Sequence, residues 1–359
     1  MANNFGLEPQ NHYFCAKESN DFMFKRILTS IIILSVLIFL CLLAAGNYMV
    51  TYSLKPSGLE NSMNFDILSQ EIRANHPQIV NWLDSMEENS LFRDTFIVSK
   101  VDGSKLHAIY AYADKPTART AVLAHGYTDC IVKMLPIAYL YNHDLDFNIL
   151  MMDHHGHGKS EGDEVQMGWQ DRLDVLQWMK VAHDVFSKEG VEAQLVMHGI
   201  SMGAATVMYV SGEVEGNGPA AQLDSVKDLL PMSYVKCFIE DCGYSSVWEE
   251  FSGQLDEQFH LSPFPIMNVS SLVCKMRYGW WFEDASSINE VERCSLPMLF
   301  IHGDEDTFVP TEMVHKVYAA KPEPKELWVT TGVGHAASYQ TYPLQYTKRV
   351  ADFVGQYMK

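Results

Sequence analysis

Between Thr120 and Thr330, short apolar runs alternate with longer amphipathic ones, and this alternation limits the possible folds more than any other feature of the chain. TAVLAHG, FNILMMDHH, AQLVMHGI, VKCFIEDCG, LPMLFIHG and KELWVTTG have the length and composition of buried strands. Between or after them come helix-like segments: IVKMLPIAYLYNHD, GWQDRLDVLQWMKVAHDVF, SMGAATVMYVSGE, TEMVHKVYAA and a final stretch over Tyr342–Met358. Strands separated by helices pair in parallel and are covered on both faces. The expected fold is α/β, a mostly parallel central sheet flanked by helices. DTFIVSKVDGSKLHAIYAYAD adds a hairpin, with Asp102-Gly103 at its turn. Ligands of such sheets bind at the carboxyl ends of the strands.

The polar residues cluster at those ends. AQLVMHGI ends where SMGAAT begins, so Gly199-Ile200-Ser201-Met202-Gly203 is a G-x-S-x-G at a strand-to-helix turn. Glycines there let strand and helix approach closely, and the turn holds the serine hydroxyl out at the sheet edge. A serine that merely caps the helix would also fit the pentapeptide. A nucleophilic serine needs a base, and the base needs an orienting carboxylate. His335 follows the last strand in TTGVGHAASY, and LFIHGDEDTFVP places acids after the strand before it. The order serine, acid, histidine is that of α/β-hydrolases. Oxyanion donors are expected at the amides of Met202, at the helix start, and Tyr127, after Gly126 in LAHGYTD.

HGYTD, MMDHHGHGKSEGD, GISMGAAT, FIEDCGYSS, LFIHGDEDTFVP and GVGHAASYQTYP occur in an order and spacing that resembles the α/β-hydrolase superfamily from about Arg93 to Lys359. More narrowly, the chain resembles a bacterial group of membrane-associated serine hydrolases and esterases. The resemblance implies Ser201 as nucleophile, His335 as base and Asp306 as acid, since the pattern H-G-x-x-D selects Asp306 over Asp304 and Glu305. It implies a serine hydrolase, foremost a carboxylesterase that needs no cofactor. A lysophospholipase or monoacylglycerol lipase, a peptidase or amidase, and a non-catalytic binding protein are the alternatives. The chain departs from many relatives at His155, where they carry Arg. His154, His155 and His157 lie in a turn beside a complete triad, so no metal is expected. His125 and His302 are expected to bond backbone beneath the site.

Ile27–Val50 carries no charge. At about 1.5 Å per residue it would span roughly 36 Å, enough to cross a bilayer. Lys25 and Arg26 precede it, which places residues 1–26 in the cytoplasm and the large domain outside. A cleaved signal peptide, cut near Ala45, is the rival reading; the long leader with Glu8, Lys17, Glu18 and Asp21 argues for an uncleaved anchor. Residues 51–93 read as a partly helical connector whose Ile79, Trp82, Leu83 and Met86 share one face. Residues 94–359 form the catalytic domain, with 246–292 a candidate cap. The formal charge of -19 argues against nucleic acid as a partner; a small-molecule or lipid ester fits better. Cys15, Cys41, Cys130, Cys237, Cys242, Cys274 and Cys294 have no metal-like spacing and read as free thiols, with a Cys274–Cys294 bridge conceivable on export. In the cap segment, Phe251, Phe259, Phe264, Met267, Tyr278, Trp280, Trp281 and Phe282 read either as packing or as an apolar wall for an acyl or aryl group.

Overall fold

The computed structural model describes residues 10–56, 64–187 and 190–358, with side chains from Phe22 onward. Glu8, Cys15, Lys17, Glu18 and Asp21 lie outside the residues whose side chains are described. The chain runs through helices α1 (Gln10–Leu54), α2 (Phe65–Asn75) and α3 (Val80–Glu88) before entering a sheet. Its strands are β1 (Arg93–Val98), β2 (Lys105–Ala111), β3 (Arg119–Ala124), β4 (Asn148–Met152), β5 (Gln194–Ile200), β6 (Val235–Asp241), β7 (Met298–Gly303) and β8 (Lys325–Thr330). They lie in the order β1-β2-β4-β3-β5-β6-β7-β8. β2 runs antiparallel to both its neighbours, β1 and β4, and the other pairs are parallel. The Asp102-Gly103 hairpin forms, with Gly103 at φ 84°.

Successive strand residues face opposite sides of the sheet, and the core divides accordingly. Ala121, Leu123, Ile149 and Met151 face one layer, with α2, α3 and the last helix, α10 (Pro343–Tyr357). Val122, Ala124, Leu150 and Met152 face the other, which holds α4 (Asp171–Phe186), α5 (Met202–Ser211), α8 (Ser287–Arg293) and α9 (Glu312–Ala320). Ile79, Trp82, Leu83 and Met86 are all buried, and Trp82 Nε1 donates to Asn142 Oδ1 at 3.1 Å. One expected helix differs. Residues 131–144 form a 3₁₀ turn, a short helix with Pro136 in its first turn, and a π turn. Proline lacks the N–H that would continue the preceding turn, so a new helix begins there.

Two helices, α6 (Val247–Phe259) and α7 (Pro263–Tyr278), lie between β6 and α8 and form a third apolar cluster. The N-terminal helix joins it. Phe22–Leu54 is long and apolar enough to cross a membrane. Its large side chains from Phe22 to Leu40 are exposed, whereas Leu43, Met49, Val50 and Leu54 pack into the third cluster. The helix does not stop at Val50 but continues to Leu54, whose carbonyl accepts from Val165 N at 2.7 Å. A Cβ on Gly46 would sit 2.9 Å from Val269 Cγ1 and 3.1 Å from Ser270 N. That close approach accounts for a glycine inside an apolar helix.

Candidate active site

β5 ends and α5 begins within two residues of Ser201. A Cβ on Gly199 would lie 2.2 Å from Gly203 O, and one on Gly203 would lie 2.1 Å from Ala124 O. Backbone meets backbone at both points, so neither glycine has room for a side chain. Ser201 between them adopts φ 58° and ψ -120°, unfavourable for a residue with a Cβ. Its amide donates to Asp241 O at 2.8 Å and its carbonyl accepts from Ala205 N at 3.0 Å, which hold the turn.

His335 Nε2 lies 2.9 Å from Ser201 Oγ, and His335 Nδ1 lies 2.7 Å from Asp306 Oδ2. This pattern assigns the ring proton to Nδ1 and leaves Nε2 to accept from the hydroxyl. The other oxygen of Asp306 accepts from the amides of Phe308, at 3.0 Å, and Val309, at 2.9 Å. Burial alone would raise the Asp306 pKa; hydrogen bonds from His302, His335 and the Val309 amide, with the charge of His335, outweigh it and hold the carboxyl down to about 2. Asp304 and Glu305 are exposed, and Asp304 caps Gly332 N.

Met202, one expected oxyanion donor, is the first residue of α5. A Cβ on Gly126 would lie 3.4 Å from Ser201 Cβ, so the backbone leading into Tyr127, the other, passes close to Ser201. The Tyr127 hydroxyl donates to Ser53 O at 2.8 Å, tying this loop to the end of α1.

The histidines take different roles. His125 Nδ1 donates to Gly126 O at 2.8 Å and its Nε2 accepts from His154 N at 3.0 Å. His302 Nε2 reaches Val309 O at 2.9 Å, as a backbone-bonded histidine should, but it also lies 3.3 Å from Asp306 Oδ2. That second contact escapes a sequence reading, although the spacing of four residues within H-G-x-x-D carries the signal. His155 Nε2 lies 3.1 Å from Asp102 Oδ2. Burial works against its charge, but Asp171, Glu164 and Asp102 raise its pKa overall. Burial pushes His154 down to about 3 and His157 to about 4, so both are neutral. Among the described residues, the clustered ligand atoms are those of Cys242, Asp306 and His335, within 4.8 Å of one another. Asp306 and His335 already bond each other, and burial pushes the Cys242 thiol well above its ordinary range. This donor set is the hydrogen-bonded Asp306–His335 pair with a neutral thiol beside it. Cys274 and Cys294 are free and sit in separate clusters.

A cavity of about 550 Å³ opens at Ser201. Of the cap's apolar residues, Phe251, Phe259, Met267 and Phe282 line it. Trp280 is buried elsewhere in the packing, and Phe264 and Trp281 are exposed. Tyr48, Met49 and Tyr52 of α1 also line it, which the sequence reading missed. Their spacing of one helical turn, at the end of the apolar run, is the one signal for them. Glu250 lies in the same wall, buried, with Oε2 unpartnered; burial raises its pKa to about 8.

Residues 115–220 match the family model of the serine aminopeptidases, S33, a segment that includes Ser201 and ends before Asp306 and His335. An uncharacterized protein of Bacillus subtilis, YqkD, is 25% identical over 289 residues, 80% of this chain and 86% of that protein. The esterase Pf2001 of Pyrococcus furiosus superposes with a TM-score of 0.56 at 22% identity, over 76% of this chain and 96% of that one. The acylaminoacyl peptidase of Pyrococcus horikoshii superposes with a TM-score of 0.55 at 14% identity, over 77% of this chain but 43% of that one. The sheet order, the serine turn and these likenesses together show that the chain has the α/β-hydrolase fold.

Proposed function

We propose that this protein is a membrane-anchored carboxylesterase with Ser201 as its nucleophile. One observation carries the reading: the hydrogen-bonded run from Asp306 through His335 to Ser201 Oγ opens at its serine end on a largely apolar cavity. As Oγ attacks an ester carbonyl, His335 Nε2 takes the hydroxyl proton. Asp306 keeps the ring oriented and stabilises the imidazolium. The amides of Met202 and Tyr127 hold the oxyanion, each such donor being worth ~10²–10³ in rate. His335 then protonates the departing alcohol. It next takes a proton from a water that attacks the acyl carbonyl, and returns it to Ser201 Oγ as the Oγ–acyl bond breaks and the acid departs. The residues need no cofactor for this cycle.

In this reading residues 1–26 lie in the cytoplasm, 27–50 span the membrane, and the catalytic domain, 94–359, lies outside, because Lys25 and Arg26 precede the exposed apolar stretch. A peptidase reading stands second. The matched family's name and the unpartnered Oε2 of Glu250, an acceptor for a substrate amine, favour it.

The test uses the full chain in detergent with p-nitrophenyl esters from acetate to palmitate, alanine p-nitroanilide and a phosphonate probe, beside Ser201→Ala. Ester turnover that disappears in the variant supports the esterase. Turnover of the anilide alone moves the reading to a peptidase. Absence of both, with no phosphonate labelling, overturns serine hydrolysis altogether.

A further inference from the structure

The end of α1 does two things at once. It carries the chain out of its exposed apolar stretch, and it walls the cavity at Ser201. From Ile27 to Gly46 a helix covers about 30 Å at about 1.5 Å per residue, the thickness of a bilayer's hydrocarbon core. Gly46 is also where α7 docks, against Val269 and Ser270. The protein surface therefore begins where the lipid ends. Tyr48 and Met49, which line the cavity, follow within one helical turn of that point. Tyr48 and Tyr52 are partly exposed and stacked on one another, with Tyr52 against Phe259 at 5.4 Å. Tyrosine is the residue expected at headgroup level. Phe264, at the start of the docking helix α7, is 76% exposed, an unfavourable placement in water and a favourable one against acyl chains.

Resting on the esterase reading, we infer that the substrate is a single-chain lipid ester, drawn from the membrane that holds α1 and bound with its acyl chain between α1 and the cap helices. The cavity's size sets the number of chains. At about 550 Å³ it lies mid-range among small-molecule pockets, roughly 300–1,000 Å³, the scale of a ligand with one acyl chain rather than two. The wall from Met49 through Leu255, Ile266 and Met267 to Phe282 is apolar, as an acyl chain requires. Ser201 lies on the same cavity, so the carbonyl of a seated chain comes within reach of Oγ.

The experiment places the full chain in phospholipid nanodiscs. Monooleoylglycerol or a lysophosphatidylethanolamine is added either to the discs that hold the enzyme or to separate vesicles, and released oleate is measured. The two lipids separate a neutral from a phosphorylated headgroup. Expected is hydrolysis of at least one, with the lipid in the enzyme's own disc consumed about tenfold faster than the lipid presented separately. Met49→Trp, which fills the cavity, is expected to lower the palmitate-to-acetate ratio of kcat/KM on p-nitrophenyl esters about tenfold, the cost of leaving a couple of methylenes outside. Met49→Ala, which widens the cavity without crowding the fold, is expected to move the preferred chain longer. Turnover of p-nitrophenyl acetate with no release from either lipid, or a ratio unmoved in both Met49 variants, overturns the inference and leaves the esterase standing. Loss of the esterase itself is a different result: no ester turnover above Ser201→Ala.

Discussion

On the sheet side of the cavity, Gly199, Ser201 and Gly203 sit where backbone touches backbone; on the opposite side, α1, α6 and α7 meet through side chains. A Cβ at Gly203 would press on a main-chain carbonyl at 2.1 Å, while one at Gly46 would meet first a valine methyl at 2.9 Å. The first neighbour cannot move without disturbing β3. The second can change rotamer. In the proposed reading the difference separates chemistry from selection. The proposed triad is held by rigid elements that over-determine a strained turn, as catalysis demands. The proposed acyl wall is built from Met, Tyr and Phe side chains that can repack around ligands of different length.

The largest expected effects therefore fall on the sheet side. Ser201→Ala should lower kcat on the best ester by on the order of 10⁴ or more, and Asp306→Asn by about 10⁴, because the amide lets His335 adopt the wrong tautomer. Circular dichroism should show both variants folded; substantial activity in either would break the division of labour. Next come the glycines. Gly203→Ala should leave the protein insoluble or lower its Tm by many degrees. Gly46→Ala should cost less than Gly203→Ala, since Val269 can change rotamer and about 1 kcal/mol of helix propensity offsets part of the crowding against the α7 backbone at 3.1 Å. Equal losses at both positions would show the two walls to be equally rigid.

A smaller effect is expected at His302, which supports Asp306 without touching substrate. His302→Gln should lower kcat about tenfold. It should also raise the Asp306 pKa from about 2, followed by NMR titration of the carboxyl carbon, because a hydrogen-bond donor to it is lost. An unchanged Asp306 titration would make His302 merely a packing residue. The smallest concerns Glu250. Its pKa is raised to about 8 in the folded chain against 4.5 unfolded. Between those values the native state holds a proton that the unfolded state has released, so stability falls as pH rises from about 4.5 to about 8 and then levels. Glu250→Gln removes that dependence. Its Tm should match wild type near pH 4.5 and exceed it by a few degrees at pH 8. A gain independent of pH would mean the carboxyl is not buried in solution.

The positions proposed for catalysis were legible in the sequence because each belongs to a short motif at a strand end. Local turn chemistry marks Ser201, and the strand that ends at Gly303 marks the acids after it. Choosing Asp306 over Asp304 and Glu305 needed the family resemblance; in the structure that choice corresponds to one buried side chain beside two exposed ones. The helix expected across residues 131–144 broke at Pro136, a signal present in the sequence and underweighted. The cap was harder. Trp280 and Trp281 looked as suitable for an apolar wall as Phe251 and Phe282, yet neither tryptophan lines the cavity. Hydrophobic content records that a residue avoids water, not which of two apolar surfaces it meets.

α1 shows the same limit most clearly. Its composition determined a long apolar helix, just as alternating strands and helices determined a covered parallel sheet, because hydrogen bonding and periodic burial are local demands. Whether an apolar residue of α1 faces lipid or protein is not a local matter. Leu40 is exposed and Val50 is buried, and nothing in their chemistry tells them apart. Only tertiary packing decided that the last turns of the helix would press on α7, receive the Tyr127 hydroxyl at Ser53, and close the cavity over Ser201, because those contacts join residues more than seventy positions apart.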